Sequence, residues 1–205
     1  MLCYLSATQA IELFGAREVS PVELLSAVIQ RSEETEPRIA AFSETLFASA
    51  RARAAEAERR YSGHGPDPRP LEGIPIVAKE ALDIAGRSTT FGSRSILGQP
   101  AASSHPVVQM LEAAGGIVHA RTTTPEFCCA GFTHSDTWGI TRNPWSLSHS
   151  AGGSSGGSGA SLAAGSTVLA TGSDIAGSIR IPASFNGVVG YKPPKGRVPD
   201  IPPFD

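Results

Sequence analysis

The sequence predicts an α/β protein in which helices and short strands alternate in packed layers. Three observations predict it. Capping signals open amphipathic helices in the first third of the chain, short apolar runs appear after residue 70, and helix-length segments closed by glycine separate those runs. Ser6-Ala7-Thr8-Gln9 and Ser20-Pro21-Val22-Glu23 have the capping-box form, the second with proline at the first helical position. Val22, Leu25, Val28 and Ile29 then recur at helical spacing, a stripe that must pack on something. A third helix is expected from about Glu44 through Ala50, Ala54 and Ala57 to Arg60, with Ser62-Gly63-His64-Gly65-Pro66 as the loop that ends it. Gly73 to Ala78 reads as a buried strand with Pro75 near its beginning. Val107 to Ala114 is a helix stopped by Gly115-Gly116, and Ile117 to Ala120 the strand after it. Another helix starts near residue 155 and ends at Gly165, and residues 167–171 and 187–191 read as strands. Residues 1–70 are thus read as a helical segment packing on the core and 71–205 as the α/β part.

Composition narrows the function classes. The chain has 205 residues, of which 40% are hydrophobic, enough to bury a sizeable core. Its 17 basic and 19 acidic residues give a net charge of −2, which predicts neither a nucleic-acid footprint nor a basic membrane patch. Cys3, Cys128 and Cys129 are odd in number and two are adjacent, so a disulfide framework is not expected and reduced thiols are the plain reading. No Cys-x-x-Cys or His-x-x-x-His spacing accompanies them, which leaves metal binding without support. Met1-Leu2-Cys3-Tyr4-Leu5-Ser6 lacks the basic and apolar regions of a leader, and no apolar run is long enough to span a bilayer. A cytoplasmic protein is the expectation.

From Asn143 to Ser173 there is no Asp, Glu, Lys or Arg, and within that stretch lies Gly152-Gly153-Ser154-Ser155-Gly156-Gly157-Ser158-Gly159. A flexible linker would not be flanked by Trp145 and Val168-Leu169-Ala170. Neither G-x-G-x-x-G nor G-x-x-x-x-G-K-[ST] is present, so the specific phosphate signatures fail. Gly152-Gly153-Ser154-Ser155-Gly156 fits the nucleophile elbow G-x-S-x-G, but the last histidine is His149 and no downstream partner follows. A catalytic loop, with glycines admitting a close backbone and serines supplying hydroxyls, is the third reading. A base is then needed. Lys79 ends the apolar run from Ile74 to Ala78, where desolvation would favour its neutral amine, although on that feature alone a lysine with its head in water is the plainer reading. Gly172-Ser173-Asp174-Ile175-Ala176-Gly177-Ser178 follows a strand as a small-residue turn whose N–H groups can converge on an anion; an ordinary turn with an Asp174–Arg180 ion pair is the alternative.

Taken together, these segments resemble the amidase signature family of amide hydrolases. The likeness rests on Gly152 to Gly157, on Asp174-Ile175-Ala176-Gly177-Ser178-Ile179-Arg180-Ile181-Pro182 and on Phe185-Asn186-Gly187-Val188-Val189-Gly190-Tyr191-Lys192-Pro193. Upstream, Gly73 to Glu80, Arg121-Thr122-Thr123-Thr124-Pro125-Glu126-Phe127 and Arg142-Asn143-Pro144-Trp145 fit in the family's order. The resemblance runs from about residue 5 to about 198. It implies a mixed sheet core flanked by helices, and an amidohydrolase with a serine–cis-serine–lysine triad: Lys79 as base, Ser154 bridging on a cis peptide, Ser178 as nucleophile. It implies an oxyanion hole from the N–H groups of Ile175, Ala176, Gly177 and Ser178, and places Cys128 beside the pocket for the scissile group. Ser155 is read as structural, opening the next helix. No cofactor or metal is required, the implied partner is a small-molecule amide, and a homodimer is left open. The sequence departs from the family at Ala176, where glycine is usual, at Ser173, where threonine is usual, and in length, since family members are roughly twice as long. Five prolines in the last thirteen residues read as a passage onward. The chain is thus expected to be the N-terminal part of such a fold. The alternatives are a truncated or non-catalytic domain, an amidotransferase-type subunit, or a thiol amidase using Cys128 or Cys129 with Glu126 and Lys79.

Overall fold

The computed structural model of the protein describes residues 1–96 and 98–200. The end of the proline-rich tail, residues 201–205, lies outside the described residues.

The capping boxes form as the sequence dictates. Helix α1 (Ala7–Ala16) opens with Ser6 Oγ accepting from the Gln9 N–H at 3.2 Å while Gln9 Oε1 accepts from the Ser6 N–H at 3.0 Å. Helix α2 (Pro21–Ile39) repeats the exchange between Ser20 and Glu23 at 3.1 and 2.8 Å. The reciprocal bonds satisfy orphan N–H donors of each first turn. On α2, Leu25 and Ile29 pack against Ala50 and Ala54 of α3 (Phe47–Tyr61) and against Ile117, whereas Leu24 and Val28 join Phe14, Ile74 and Ile76. The stripe read from the sequence is therefore wedged between a neighbouring helix and the sheet.

That sheet has four strands, β1 (Phe42–Thr45), β2 (Pro75–Lys79), β3 (Ile117–Thr122) and β8 (Leu169–Ala170), in the spatial order β1-β3-β2-β8. Strand β2 runs parallel to both β3 and β8, and β1 runs antiparallel to β3, so the sheet is mixed. Successive residues of a strand face opposite sides. Accordingly Ile117 meets α2 and α3, while Val118 meets Leu46, Leu82 and Val108 of α4 (Pro106–Ala113). Helices thus flank the sheet. Every residue of β2 and β3 is buried, including Lys79 and Arg121. Two small hairpins lie between β3 and β8 in the chain, β4 (His134–Ser135) with β5 (Gly139–Ile140) and β6 (Arg142–Asn143) with β7 (Ser146–Ser150). Helix α5 (Gly156–Ala164) is packed backbone to backbone: a Cβ on Gly156 would stand 2.2 Å from Thr133 Oγ1, and one on Gly157 would stand 2.5 Å from the Ala41 carbonyl oxygen.

Two expectations need correction. Glu44 lies in β1, not in a helix, because the chain turns at Ala40 (φ +49°) and Phe42–Thr45 pairs with β3; tertiary pairing outweighs the helical propensity there. Residues 187–191 do not form a strand, for no strand among the described residues pairs with them, and Val189 and Tyr191 are exposed. In front of them stands an unexpected helix, α6 (Arg180–Asn186), which tolerates Pro182 because proline is accommodated within a first turn. No helix among the described residues is long and apolar enough to cross a membrane.

Candidate active site

Lys79 is the last residue of β2 and is completely buried. Parallel pairing with Thr122 on one side holds its backbone, and its N–H donates to Thr171 Oγ1 at 2.9 Å on the other. The side chain then reaches Ser154 Oγ at 2.6 Å and Ser173 Oγ at 2.8 Å. Desolvation lowers the lysine pKa from its ordinary value, partly opposed by Cys128 and, more weakly, by Asp174. Among the described residues, no carboxylate hydrogen-bonds to the amine. Glu80, next in sequence, turns away and accepts from the Thr90 N–H at 2.7 Å and the Thr90 hydroxyl at 3.0 Å. Two hydroxyls thus hold a desolvated amine, an arrangement in which the neutral form can accept a proton.

Ser154 is carried by the loop between β7 and α5. The Gly153–Ser154 peptide bond is cis. Gly152 has φ +75°, and a Cβ there would press on Pro182 Cα at 2.9 Å, so the position calls for glycine twice over. At Gly153 a Cβ would stand 2.6 Å from the Phe132 nitrogen and 2.7 Å from the Ala130 carbonyl oxygen. Thr133 clasps the loop, donating to the Gly152 carbonyl at 2.9 Å and accepting from the Gly156 N–H at 3.1 Å. Ser155 stands at the start of α5, but its hydroxyl makes no cap there: it accepts from the Ser173 N–H at 3.4 Å, and Thr133 serves the first turn instead.

The turn from Asp174 to Ile179 lies against this loop, because the Ser155 N–H donates to the Ser178 carbonyl at 3.1 Å. Asp174 organises the turn. Its buried carboxylate accepts from the N–H groups of Gly177, Ile179 and Arg180 at 2.7, 3.1 and 3.2 Å and takes two bonds from the exposed Arg180 guanidinium. These contacts hold its pKa far below the usual carboxylate range. The N–H of Gly177 is therefore already used, whereas those of Ile175, Ala176 and Ser178 make no hydrogen bond among the described residues. Ser178 Oγ likewise has no partner among them. The structure brings Lys79 and Ser154 into contact and sets the Ser178 backbone beside Ser155, but makes no Ser154–Ser178 hydroxyl bond.

Cys128 sits in a turn with Phe127 and Cys128 both at positive φ (+52° and +57°), its Sγ 3.1 Å from Thr124 Oγ1. Ser173, Thr171 and Thr133 are hydrogen-bonded neighbours of the candidate site that sequence reasoning missed as such. For Ser173 the signal was its place, five residues ahead of Ser178 and directly after an apolar strand; Thr133 carried none.

A family model described as Amidase matches residues 23–202. The chain belongs to the amidase family. Putative amidase AmiA2 of Mycobacterium tuberculosis is 42% identical over 191 residues, covering 93% of this chain and 39% of the relative. A glutamyl-tRNA(Gln) amidotransferase subunit of Carboxydothermus hydrogenoformans is 40% identical, covering 96% of this chain and 40% of that one. Among solved structures, a bacterial aryl acylamidase of the amidase signature enzymes superposes with a TM-score of 0.89 at 31% identity, over 96% of this chain and 41% of its own. This amidase-family chain thus spans about two-fifths of the length of the relatives it matches.

Proposed function

We propose that the protein hydrolyses carboxylic amides of small molecules through an acyl-enzyme on Ser178. Neutral Lys79 takes a proton from Ser154, which takes one from Ser178 as that oxygen attacks the amide carbonyl. The relay runs backwards to protonate the leaving amine, and water then cleaves the acyl ester. The single observation that carries the reading is the fully buried Lys79 amine 2.6 Å from Ser154 Oγ, with no carboxylate among the described residues bonded to it. A lysine in that setting is available as a base, whereas an ion-paired one is not. The N–H groups of Ile175, Ala176 and Ser178 would receive the oxyanion. Gly177, expected as a fourth donor, instead gives its N–H to Asp174 and acts by holding the turn. Lys79→Ala and Ser178→Ala variants, assayed with a fluorogenic anilide and with a fluorophosphonate label, test the assignment. Both should lose turnover by orders of magnitude, and an active preparation whose Ser178→Ala variant keeps full activity would sink it.

A role within an amidotransferase is the second reading, favoured by the 40% identity to the glutamyl-tRNA(Gln) amidotransferase protein over nearly the whole chain. The net charge of −2 gives this chain no electrostatic footprint for RNA. Salt-dependent binding of tRNA would move the assignment toward it.

A further inference from the structure

Two hydroxyls touch the Lys79 amine, and the proton relay uses only one of them. Ser154 Oγ lies 2.6 Å from Nζ and Ser173 Oγ 2.8 Å from it. A neutral primary amine carries two N–H donors and a single lone pair, and it can turn about its Cε–Nζ bond. To receive the Ser154 proton it must aim the lone pair at that serine, so an N–H has to be engaged elsewhere. Ser173 Oγ is the acceptor in place for it. The backbone leading to Ser173 is tied to the same strand end: the Thr171 N–H donates to the Val77 carbonyl at 3.0 Å, and Thr171 Oγ1 accepts from the Lys79 N–H at 2.9 Å. Ser158 Oγ donates to the Thr171 carbonyl at 2.8 Å, and the Ser173 N–H donates to Ser155 Oγ at 3.4 Å. Ser173 is thus fixed against the end of β2 from both sides.

We propose that Ser173 is a positioning residue for the lysine base: its hydroxyl oxygen accepts one N–H of neutral Lys79 and so turns the nitrogen lone pair towards Ser154. The role rests on the amidase reading, in which Lys79 is the base. As the proton moves, the Ser154 O–H bond breaks and a third N–H bond forms on the lone pair, while Ser154 takes the Ser178 proton in turn. The bond from Nζ to Ser173 persists through the transfer. It is stronger once the amine is charged, because hydrogen bonds from an ion exceed those from a neutral donor. Removing the Ser173 hydroxyl therefore has two separable effects. The neutral amine becomes free to present an N–H to Ser154 in place of its lone pair, which slows acylation at every pH. The ammonium loses an acceptor in a buried setting, which moves the titration of Lys79 still further down. Loosened packing would act the other way on the titration, since entering water relieves the desolvation that lowers the lysine pKa.

The test compares the full chain with its Ser173→Ala, Ser173→Thr and Lys79→Ala variants by two readouts. One is the acylation burst with an activated anilide across the pH range. The other is a carbon-13 NMR titration of the chain labelled at lysine Cε, where Lys79, Lys192 and Lys195 are the only lysines and Lys79→Ala identifies the signal. Ser173→Ala should slow the burst by about ten- to a hundredfold at its alkaline plateau. Its acid limb and its Lys79 titration should both move to lower pH, and Ser173→Thr, which keeps the hydroxyl, should restore rate and titration together. A Ser173→Ala burst at the parent's rate would overturn the proposal, as would a Lys79 titration left unchanged or raised. A loss as deep as that of Lys79→Ala would also overturn it, by making Ser173 a proton carrier. A burst that survives Lys79→Ala would instead overturn the amidase reading itself. The titration needs no turnover, so a chain without a burst still decides on the Ser173 contact.

Discussion

His119 offers a prediction whose size can be worked from the structure. It lies on β3, fully buried, with Phe47 stacked at 6.2 Å and Phe42 edge-on at 5.9 Å, and neither ring nitrogen has a hydrogen-bond partner among the described residues. Desolvation alone lowers its pKa from 6.5 to about 3. Between those values the unfolded chain binds a proton that the folded protein refuses. Stability is therefore complete above pH 6.5 and is lost as the pH falls towards 3, at about 1.4 kcal/mol per pH unit. Glu36 acts with the opposite sign. Its carboxylate is mostly buried, accepts from the Phe42 N–H at 2.9 Å and has its pKa raised from 4.5 to about 7, so its contribution is full below pH 4.5 and is lost as the pH rises through 7. Over the two units between 4.5 and 6.5 the two contributions, each on the order of 2–3 kcal/mol, oppose one another in the parent protein. His119→Leu should remove one of them. Urea unfolding followed by circular dichroism should find this variant gaining on the order of 2–3 kcal/mol between pH 6.5 and 4.5 relative to the parent, and Glu36→Gln losing about as much. Equal pH slopes in all three proteins would refute the reasoning, whatever the absolute stabilities.

Three further outcomes are expected. Acylation, read as the burst with an activated anilide, should rise from neutral towards alkaline pH, because the neutral fraction of Lys79 grows as pH increases; Lys79→Arg should show no burst at any pH near neutral. Gly153→Ala should cost about 1–3 kcal/mol of stability, read as a lower denaturation midpoint, since its methyl would press on the backbone of Ala130 and Phe132. Arg121→Met should cost about 3 kcal/mol or more in the same measurement. The buried Arg121 guanidinium donates to the carbonyls of Glu80, Leu82 and Ser88 and to the Thr89 hydroxyl, and its loss would leave these acceptors unpaired.

Local signals were legible where they are self-contained. Ser6 with Gln9 and Ser20 with Glu23 are complete within four residues, and both helices begin where those pairs place them. The run Ile74 to Ala78 likewise announces a buried strand. What failed depended on distant partners. Phe42–Thr45 becomes a strand only because β3 is there to pair with it, and residues 187–191, which include Val188, Val189 and Tyr191, find no such partner among the described residues. In the candidate site, Lys79 and the serine loop could be singled out by residue type, but their joining was readable only through the family pattern, since 75 residues separate the lysine from the first serine it touches. The clasp of Thr133 across the serine loop and the diversion of the Gly177 N–H to Asp174 are set by tertiary distances that no local motif encodes.

The close backbone packing of α5 has a bearing on the order in which the protein assembles. Gly156, Gly157 and Gly159 together make this helix about 3 kcal/mol less favourable than an alanine version, so it gains nothing from its own composition. Its turns become worth forming only once Thr133, Ala41 and Pro182 are in place to meet them. Strands β2 and β3 need no such help. Nucleation therefore belongs to the strands and to the capped helices α1 and α2, and α5 condenses onto a surface already built. Ser154, two residues ahead of that helix, therefore meets Lys79 only through packing that joins segments 75 residues apart.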